Sequence, residues 1–229
     1  MSKPTYFNNL EQGTDEWLAI RCGVLTASTV KELFTKALKP SYSVGTKALA
    51  LRLAAERMTK YVEPTFYSAA MERGHRDEEI ARELYGKHYN VVTETGFVTR
   101  ELSTADGKAI IGYSPDGLVG DDGLIEIKSR CQKWQMQTIV ENKVPAEYML
   151  QVQTGLLVTG RKRLDFISFC GGMALFVKRA LPDLELQTKI VERAIAFESE
   201  VRQYIDAYRK NASNAIVPPR PEDEREMFV

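Results

Sequence analysis

Gly112-Tyr-Ser-Pro-Asp-Gly-Leu-Val-Gly-Asp-Asp-Gly-Leu-Ile-Glu-Ile-Lys-Ser-Arg130 is the stretch on which the reading of this chain turns. Leu124-Ile125-Glu126-Ile127-Lys128 alternates with a period of two, so Glu126 and Lys128 share one face of a strand. Ile125 and Ile127 occupy the opposite face. Asp116 sits upstream in a Pro115-Asp116-Gly117 turn, and a hairpin returns it beside Glu126. Two carboxylates and an ammonium then meet at one spot.

Outward from this segment, short β-branched runs separated by Gly, Asp and Asn turns predict strands at Val91-Val92, Phe97-Val98, Ala109-Ile111 and Leu124-Ile127. Leu164–Phe169 and Met173–Val177 predict two more, around a Gly171-Gly172 hairpin. Helices precede, separate and follow them. Thr14 caps a short one, with Asp15 and Glu16 at its positive end. Another begins near Ser28. Thr46–Lys60 and Ala69–Tyr85 are rich in helix formers, and Pro145 opens a helix through Tyr148, Gln151 and Val152. Ile190, Ala194, Phe197, Val201 and Ile205 mark one face of a long closing helix. The expected class is α/β (α+β): a central mixed β-sheet flanked by helices. Residues 1–213 read as a single domain. Residues 214–229, NAIVPPRPEDEREMFV, read as an extended, proline-rich acidic arm that ends in Met227-Phe228-Val229.

The 229 residues are 44% hydrophobic and 27% charged, ordinary for a globular protein. No apolar run approaches a membrane span and no charged-then-apolar leader opens the chain, so a cytoplasmic location is expected. Three scattered cysteines and two histidines argue against a disulfide framework, a CxxC zinc site or a histidine metal centre. Lys+Arg and Asp+Glu both total 31, so contact with nucleic acid must come from local basic patches. Arg52, Arg57 and Lys60 form one such cluster; Lys128, Arg130 and Lys133 form another. Gly155–Lys162 imitates a phosphate-binding loop, but Arg161 takes the lysine position and the segment ends a helix where such a loop should open one. No nucleophile elbow or dinucleotide fingerprint occurs.

The Asp116–Glu126–Lys128 grouping has a clear chemical use. Two carboxylates are hard oxygen ligands suited to Mg²⁺, with Mn²⁺ as a substitute. Such ions polarise a phosphodiester, orient an attacking water and stabilise the leaving oxygen. Lys128 would position that water, or help deprotonate it if its surroundings tuned its pKa.

Pro115-Asp116, nine intervening residues, then Glu126-Ile127-Lys128 resembles the motif of the PD-(D/E)xK nucleases, whose core is that of the restriction endonucleases. The wider chain resembles one branch, the bacteriophage λ exonuclease and YqaJ-type viral recombinase family. Gln12-Gly13-Thr14-Asp15-x-Trp17-x-x-x-Arg21-x-Gly23-Val24-x-Thr26-Ala27-Ser28, Ser114–Leu118 and Tyr148-Met149-x-Gln151-Val152-Gln153 match its motifs in order, over about residues 11–158. The resemblance implies that Asp116, Glu126 and the carbonyl of Ile127 ligate the metals and that Lys128 serves the water. It implies that Glu78, in Gly74-x-x-x-Glu78, is the additional acid and that Gln151 is the glutamine following the core motif. Arg21, Ser28 and Ser114 would bind a terminal 5′-phosphate, and Trp17 and Met71 would lie where the strands part. Residues 36–66, which help shape the family's DNA channel, align with nothing.

A Mg²⁺-dependent 5′-to-3′ exonuclease that acts on ends of double-stranded DNA and leaves 3′ tails is therefore implied, as a ring of three subunits working beside a single-strand annealing protein in phage recombination. An endonuclease of the same superfamily and a catalytically silent DNA-end-binding scaffold are the alternatives.

Overall fold

The computed structural model describes residues 2–64 and 68–220. Residues 221–229, which include the acidic cluster of the arm and its apolar end, lie outside the described residues, as do Thr65 and Phe66 of the 36–66 segment. The first elements are β1 (Thr5–Phe7), α1 (Asp15–Arg21), β2 (Leu25–Thr26), α2 (Val44–Thr59) and α3 (Ala69–His88). Next come β3 (Phe97–Thr104), β4 (Gly107–Tyr113), β5 (Gly117–Val119) and β6 (Gly123–Ser129). The last are α4 (Gln132–Glu141), α5 (Ala146–Thr159), β7 (Arg163–Phe169), β8 (Phe176–Ala180) and α6 (Leu184–Asn211).

The expected mixed α/β architecture is present, with its strands divided between two four-stranded sheets, β1-β3-β4-β2 and β5-β6-β7-β8. The division falls at Ser114-Pro115-Asp116. Pro115 has no N–H to continue a ladder, and the chain leaves one sheet there to start the other. Both sheets contain parallel and antiparallel neighbours: β2 and β4 run parallel, as do β6 and β7, and the other pairs are antiparallel.

Several expectations are corrected. The helix expected near Ser28 is only a four-residue 3-10 turn, Val30–Leu33, whose N-cap Thr29 makes no side-chain capping bond. Val91-Val92 forms no strand. Val91 is exposed, and Thr93 makes only an isolated bridge to Leu118. Val92 packs instead on Gly117, where a Cβ would stand 2.2 Å from the Val92 Cγ1. The run at Met173 becomes strand only from Phe176. Pro145 caps α5 rather than entering its first turn. The short strands β1 and β2 carry too few residues to show a period, and α4 begins at Cys131 without a side-chain cap.

Most of the core lies between the strands and α2, α5 and α6, and contains Leu53, Ile111, Leu124, Leu156, Phe166, Ile190 and Phe197. A smaller core on the other face of β6 holds Ile125, Ile127 and Ile167 against Ala81 and Tyr85 of α3. The period-two alternation of β6 thus separates the two cores as expected, with Leu124 and Glu126 facing α5. Among the described residues no helix is long and apolar enough to cross a membrane.

Asp165 of β7 enters the smaller core at 3% exposure. It accepts two bonds from Arg179 (2.8 and 2.9 Å) and one from the Tyr85 hydroxyl (2.6 Å). Burial pushes its pKa up, but the bonds from Arg179 and Tyr85 overcome this and hold it below the usual carboxylate range. A carboxylate whose pKa is depressed on folding stabilises the protein above its unfolded value and loses that contribution as pH falls through the folded one. Asp165→Asn should therefore cost about 2 kcal/mol at neutral pH, read by urea denaturation, and the gap to the parent protein should close below about pH 4. A pH-independent difference would contradict this account.

Candidate active site

The β5–β6 ladder pairs Gly117 with Ile125, which sets Asp116 opposite Glu126 as the turn chemistry predicted. The Asp116 Oδ2 accepts from the backbone N–H of Ile127 at 2.5 Å, which ties the turn to β6. The site thus uses the N–H of Ile127; its carbonyl is the ligand that the resemblance implies. Glu126 is 1% exposed. Its Oε2 accepts from the Tyr113 hydroxyl at 2.7 Å, and its Oε1 accepts from Gln151 Nε2 at 2.5 Å and Lys128 Nζ at 2.6 Å. Gln151 reaches it from α5.

Glu78 arrives from α3. Its Oε1 pairs with the Arg82 guanidinium one turn on, and Arg82 also donates to the carbonyl of Asp116 at 2.8 Å. Arg82 therefore joins the acidic helix to the Pro-Asp-Gly turn. The neighbouring acids Asp77 and Glu79 have other surroundings. Asp77 accepts from Ser129 at 2.5 Å, and Glu79 is exposed.

The electrostatics show what this assembly lacks. Asp116 is only partly covered as a residue, yet its carboxyl group is enclosed by the protein. Burial first, then Glu126 and Glu78, push its pKa well above the ordinary range, with Lys128 opposing. Glu78 is raised as well, by burial more than its Arg82 and His75 neighbours relieve. Negative charge is concentrated here beyond what the local cations neutralise. Burial pulls Lys128 down, but Glu126 and Asp116 prevail and hold it above its usual value. In the metal-free site Lys128 is thus held as an ammonium by the two carboxylates.

Among the described residues no three His, Cys, Asp or Glu side chains form a ready-made metal cage. What converges is a pair of carboxylates in excess of their counter-charges. That donor set fits Mg²⁺, which binds through one or two carboxylates, keeps part of its water and takes phosphate oxygens.

A cavity of about 530 Å³ has walls that include Trp17, Arg21, Ser28, Arg52 and Lys60, together with the acids Asp15, Glu56 and Glu63. Asp116 and Glu126 do not line it. Ser114 links the two regions: it lies two residues before Asp116, and its hydroxyl accepts from Arg21 at 2.8 Å and from the Trp17 indole at 3.2 Å. The Arg21 guanidinium lies 3.9 Å over the Trp17 ring, so one face of that ring is already covered. Burial and the nearby Arg52 lower the pKa of Arg21 to about 10, still charged at neutral pH. Ser28 is exposed in this cavity, its hydroxyl 3.1 Å from that of Thr26. Met71 stands exposed on the first turn of α3 and is not among the cavity residues.

The two basic clusters divide. Arg57 is committed to the fold through a double bond-pair with Glu198 (2.8 and 2.7 Å) and a bond to the Gly23 carbonyl. Arg130 is buried against Glu147 and Tyr148. Arg52 and Lys60 open onto the cavity. Sequence reasoning missed Tyr113 and Arg82. The Glu78–Arg82 spacing of four was a usable signal for Arg82, since such pairs face each other on a helix. Nothing local marked Tyr113.

The model of the YqaJ-like viral recombinase domain matches residues 16–162, the span that holds every one of these candidate residues. The chain belongs to this family. Among solved structures, this YqaJ-like chain is similar to an alkaline exonuclease from Laribacter hongkongensis, LHK-Exo. The two share 33% identity over 89% of this chain and 100% of that one, with a TM-score of 0.76. The complex of LHK-Exo with dAMP gives 0.75 at the same identity and coverage. A phage related exonuclease from Haemophilus somnus, 15% identical over 82% of this chain and 96% of its own, is similar in fold with a TM-score of 0.53. No curated protein matches the chain.

Lys128 is the cation bonded to the buried Glu126. Its replacement by Met should destabilise the metal-free protein by about 3 kcal/mol near neutral pH, because an unpaired buried carboxylate remains. Urea denaturation at neutral pH measures it, and unchanged stability would contradict the pairing.

Proposed function

We propose that this YqaJ-like chain is a Mg²⁺-dependent 5′-to-3′ exonuclease that degrades one strand of linear double-stranded DNA and leaves 3′ single-stranded tails for recombination by strand annealing. Nuclease activity is the broad part of this reading, and family membership and the likeness to an alkaline exonuclease support it. The observation that carries the finer part is the link through Ser114. The Ser114 hydroxyl, held by Arg21 of the cavity wall, lies two residues before Asp116, one of the two carboxylates. Two residues span at most about 7 Å. In this reading an end seated in the cavity meets Arg21, and the chain from Ser114 leads on to Asp116.

Asp116 and Glu126, with the Ile127 carbonyl, would hold Mg²⁺ or Mn²⁺, and Glu78 adds charge behind them. Bound there, a pair of such ions supplies Lewis acidity toward the phosphodiester and an activated water. The chain does the rest. Gln151 and Lys128 hold Glu126 from one side, and the Lys128 ammonium orients the attacking water. Arg21 offers a planar fork to the terminal 5′-phosphate, with the Ser28 and Ser114 hydroxyls as further donors. The second face of Trp17, and Met71 at the start of α3, would meet bases where the strands part. Arg52 and Lys60 add charge to the end-binding cavity.

In this proposal residues 1–213 are the nuclease domain and 214–229 its arm. Three copies ring the DNA, a single-strand annealing protein takes the tail, and the setting is the cytoplasm of a bacterium hosting a phage or prophage. Linear duplex labelled separately at each end, with 5′-phosphate or 5′-hydroxyl, should lose label progressively from phosphorylated 5′ ends when Mg²⁺ is present, while closed circles stay intact. Cut circles would point to an endonuclease, and end binding without cleavage to a scaffold.

A further inference from the structure

The acceptor sites of Glu126 are used unequally. A carboxylate offers about four lone-pair positions, two on each oxygen. Oε1 has two donors, Gln151 Nε2 at 2.5 Å and Lys128 Nζ at 2.6 Å. Oε2 has one, the Tyr113 hydroxyl at 2.7 Å. A single acceptor position on Oε2 therefore remains, and the phenol fixes its direction.

The phenol is itself held rigidly. Tyr113 ends β4, is 1% exposed and pairs with Val98 across the ladder. Its ring lies against the backbone of α5 at Gly155, where a Cβ would stand 2.8 Å from Tyr113 Cζ and 2.9 Å from Cε1. Gly155 is thus the residue that lets the ring sit close enough to reach Glu126. The same helix supplies Gln151, so α5 sets both oxygens of one carboxylate, one directly and one through the ring it supports.

We propose that Tyr113 is a positioning residue of this site: by fixing Glu126 from the Oε2 side it leaves one acceptor position for a divalent cation and sets the affinity with which the site takes that cation. The proposal rests on the metal-dependent reading above. Residues that orient metal ligands through hydrogen bonds typically change metal affinity or activity by 10- to 100-fold when removed.

Tyr113→Phe keeps the ring and removes the hydroxyl. Titration of the DNA-free protein with Mn²⁺, followed by electron paramagnetic resonance, should show binding weakened by about 10- to 100-fold relative to the parent. The Mg²⁺ concentration for half-maximal digestion should rise in parallel, the rate should recover at high Mg²⁺, and KM for DNA ends should not move. Equal Mn²⁺ affinity in the two proteins would overturn the proposal. A parent protein that binds no Mn²⁺ would overturn the metal reading itself, a distinct result. If Tyr113→Phe does not fold, Gly155→Ala, which displaces the ring and keeps the hydroxyl, carries the same titration, and unchanged affinity there overturns the proposal equally.

Discussion

Glu126 is an ionisable side chain at 1% exposure in the middle of a strand, and the organisation of the site follows from how that burial is compensated. A buried carboxylate without partners costs several kcal/mol. Here its donors come from three elements: Tyr113 at the end of β4, Lys128 on β6 itself and Gln151 on α5. Each of those elements is fixed elsewhere, by the β3–β4 ladder, the β6–β7 ladder and the packing of α5 in the larger core. The carboxylate position is therefore set by the fold and not by a flexible loop.

A second carboxylate, Asp116, is then placed beside the first by strand register alone, and a third, Glu78, by α3. Burial first, and then the neighbouring negative charge, raises the cost of keeping these groups ionised, and Asp116 and Glu78 are both displaced upward. Stability alone does not explain such crowding, since apolar residues of similar volume would pack there at lower cost. Crowding of this kind marks functional sites. The cavity holding Arg21 differs in character, with Arg21, Arg52 and Lys60 set among hydroxyls and the acids Asp15, Glu56 and Glu63. The Arg21–Ser114 bond connects its wall to the segment that carries Asp116.

Strand β6 and its hairpin were legible in the sequence because period-two alternation and a Pro-Asp-Gly turn are local signals. So were α2, α3 and α6, whose composition and spacing need no tertiary context. The split into two sheets was not legible. It depends on which strand edges pair, and the pairing of two-residue β2 with β4 is decided by packing. Val91-Val92 looked like strand, but Val91 is exposed and Val92 packs its side chain over Gly117. Trp17 was expected at the parting strands, and the structure shows that one of its faces supports Arg21. Tyr113 stayed invisible because its role arises only when β4 and β6 meet, and no spacing along the chain records that meeting.

In the proposed function Asp116 and Glu126 act as one metal-holding unit whose chemistry is cleavage. The most direct measurement is single-turnover digestion of 5′-phosphorylated linear duplex by Asp116→Asn protein at saturating Mg²⁺, with end binding measured on the same preparation. The substitution preserves shape and removes one hard oxygen charge. Cleavage should fall by about 10³-fold or more while binding to DNA ends persists. Digestion at the parent rate would contradict it.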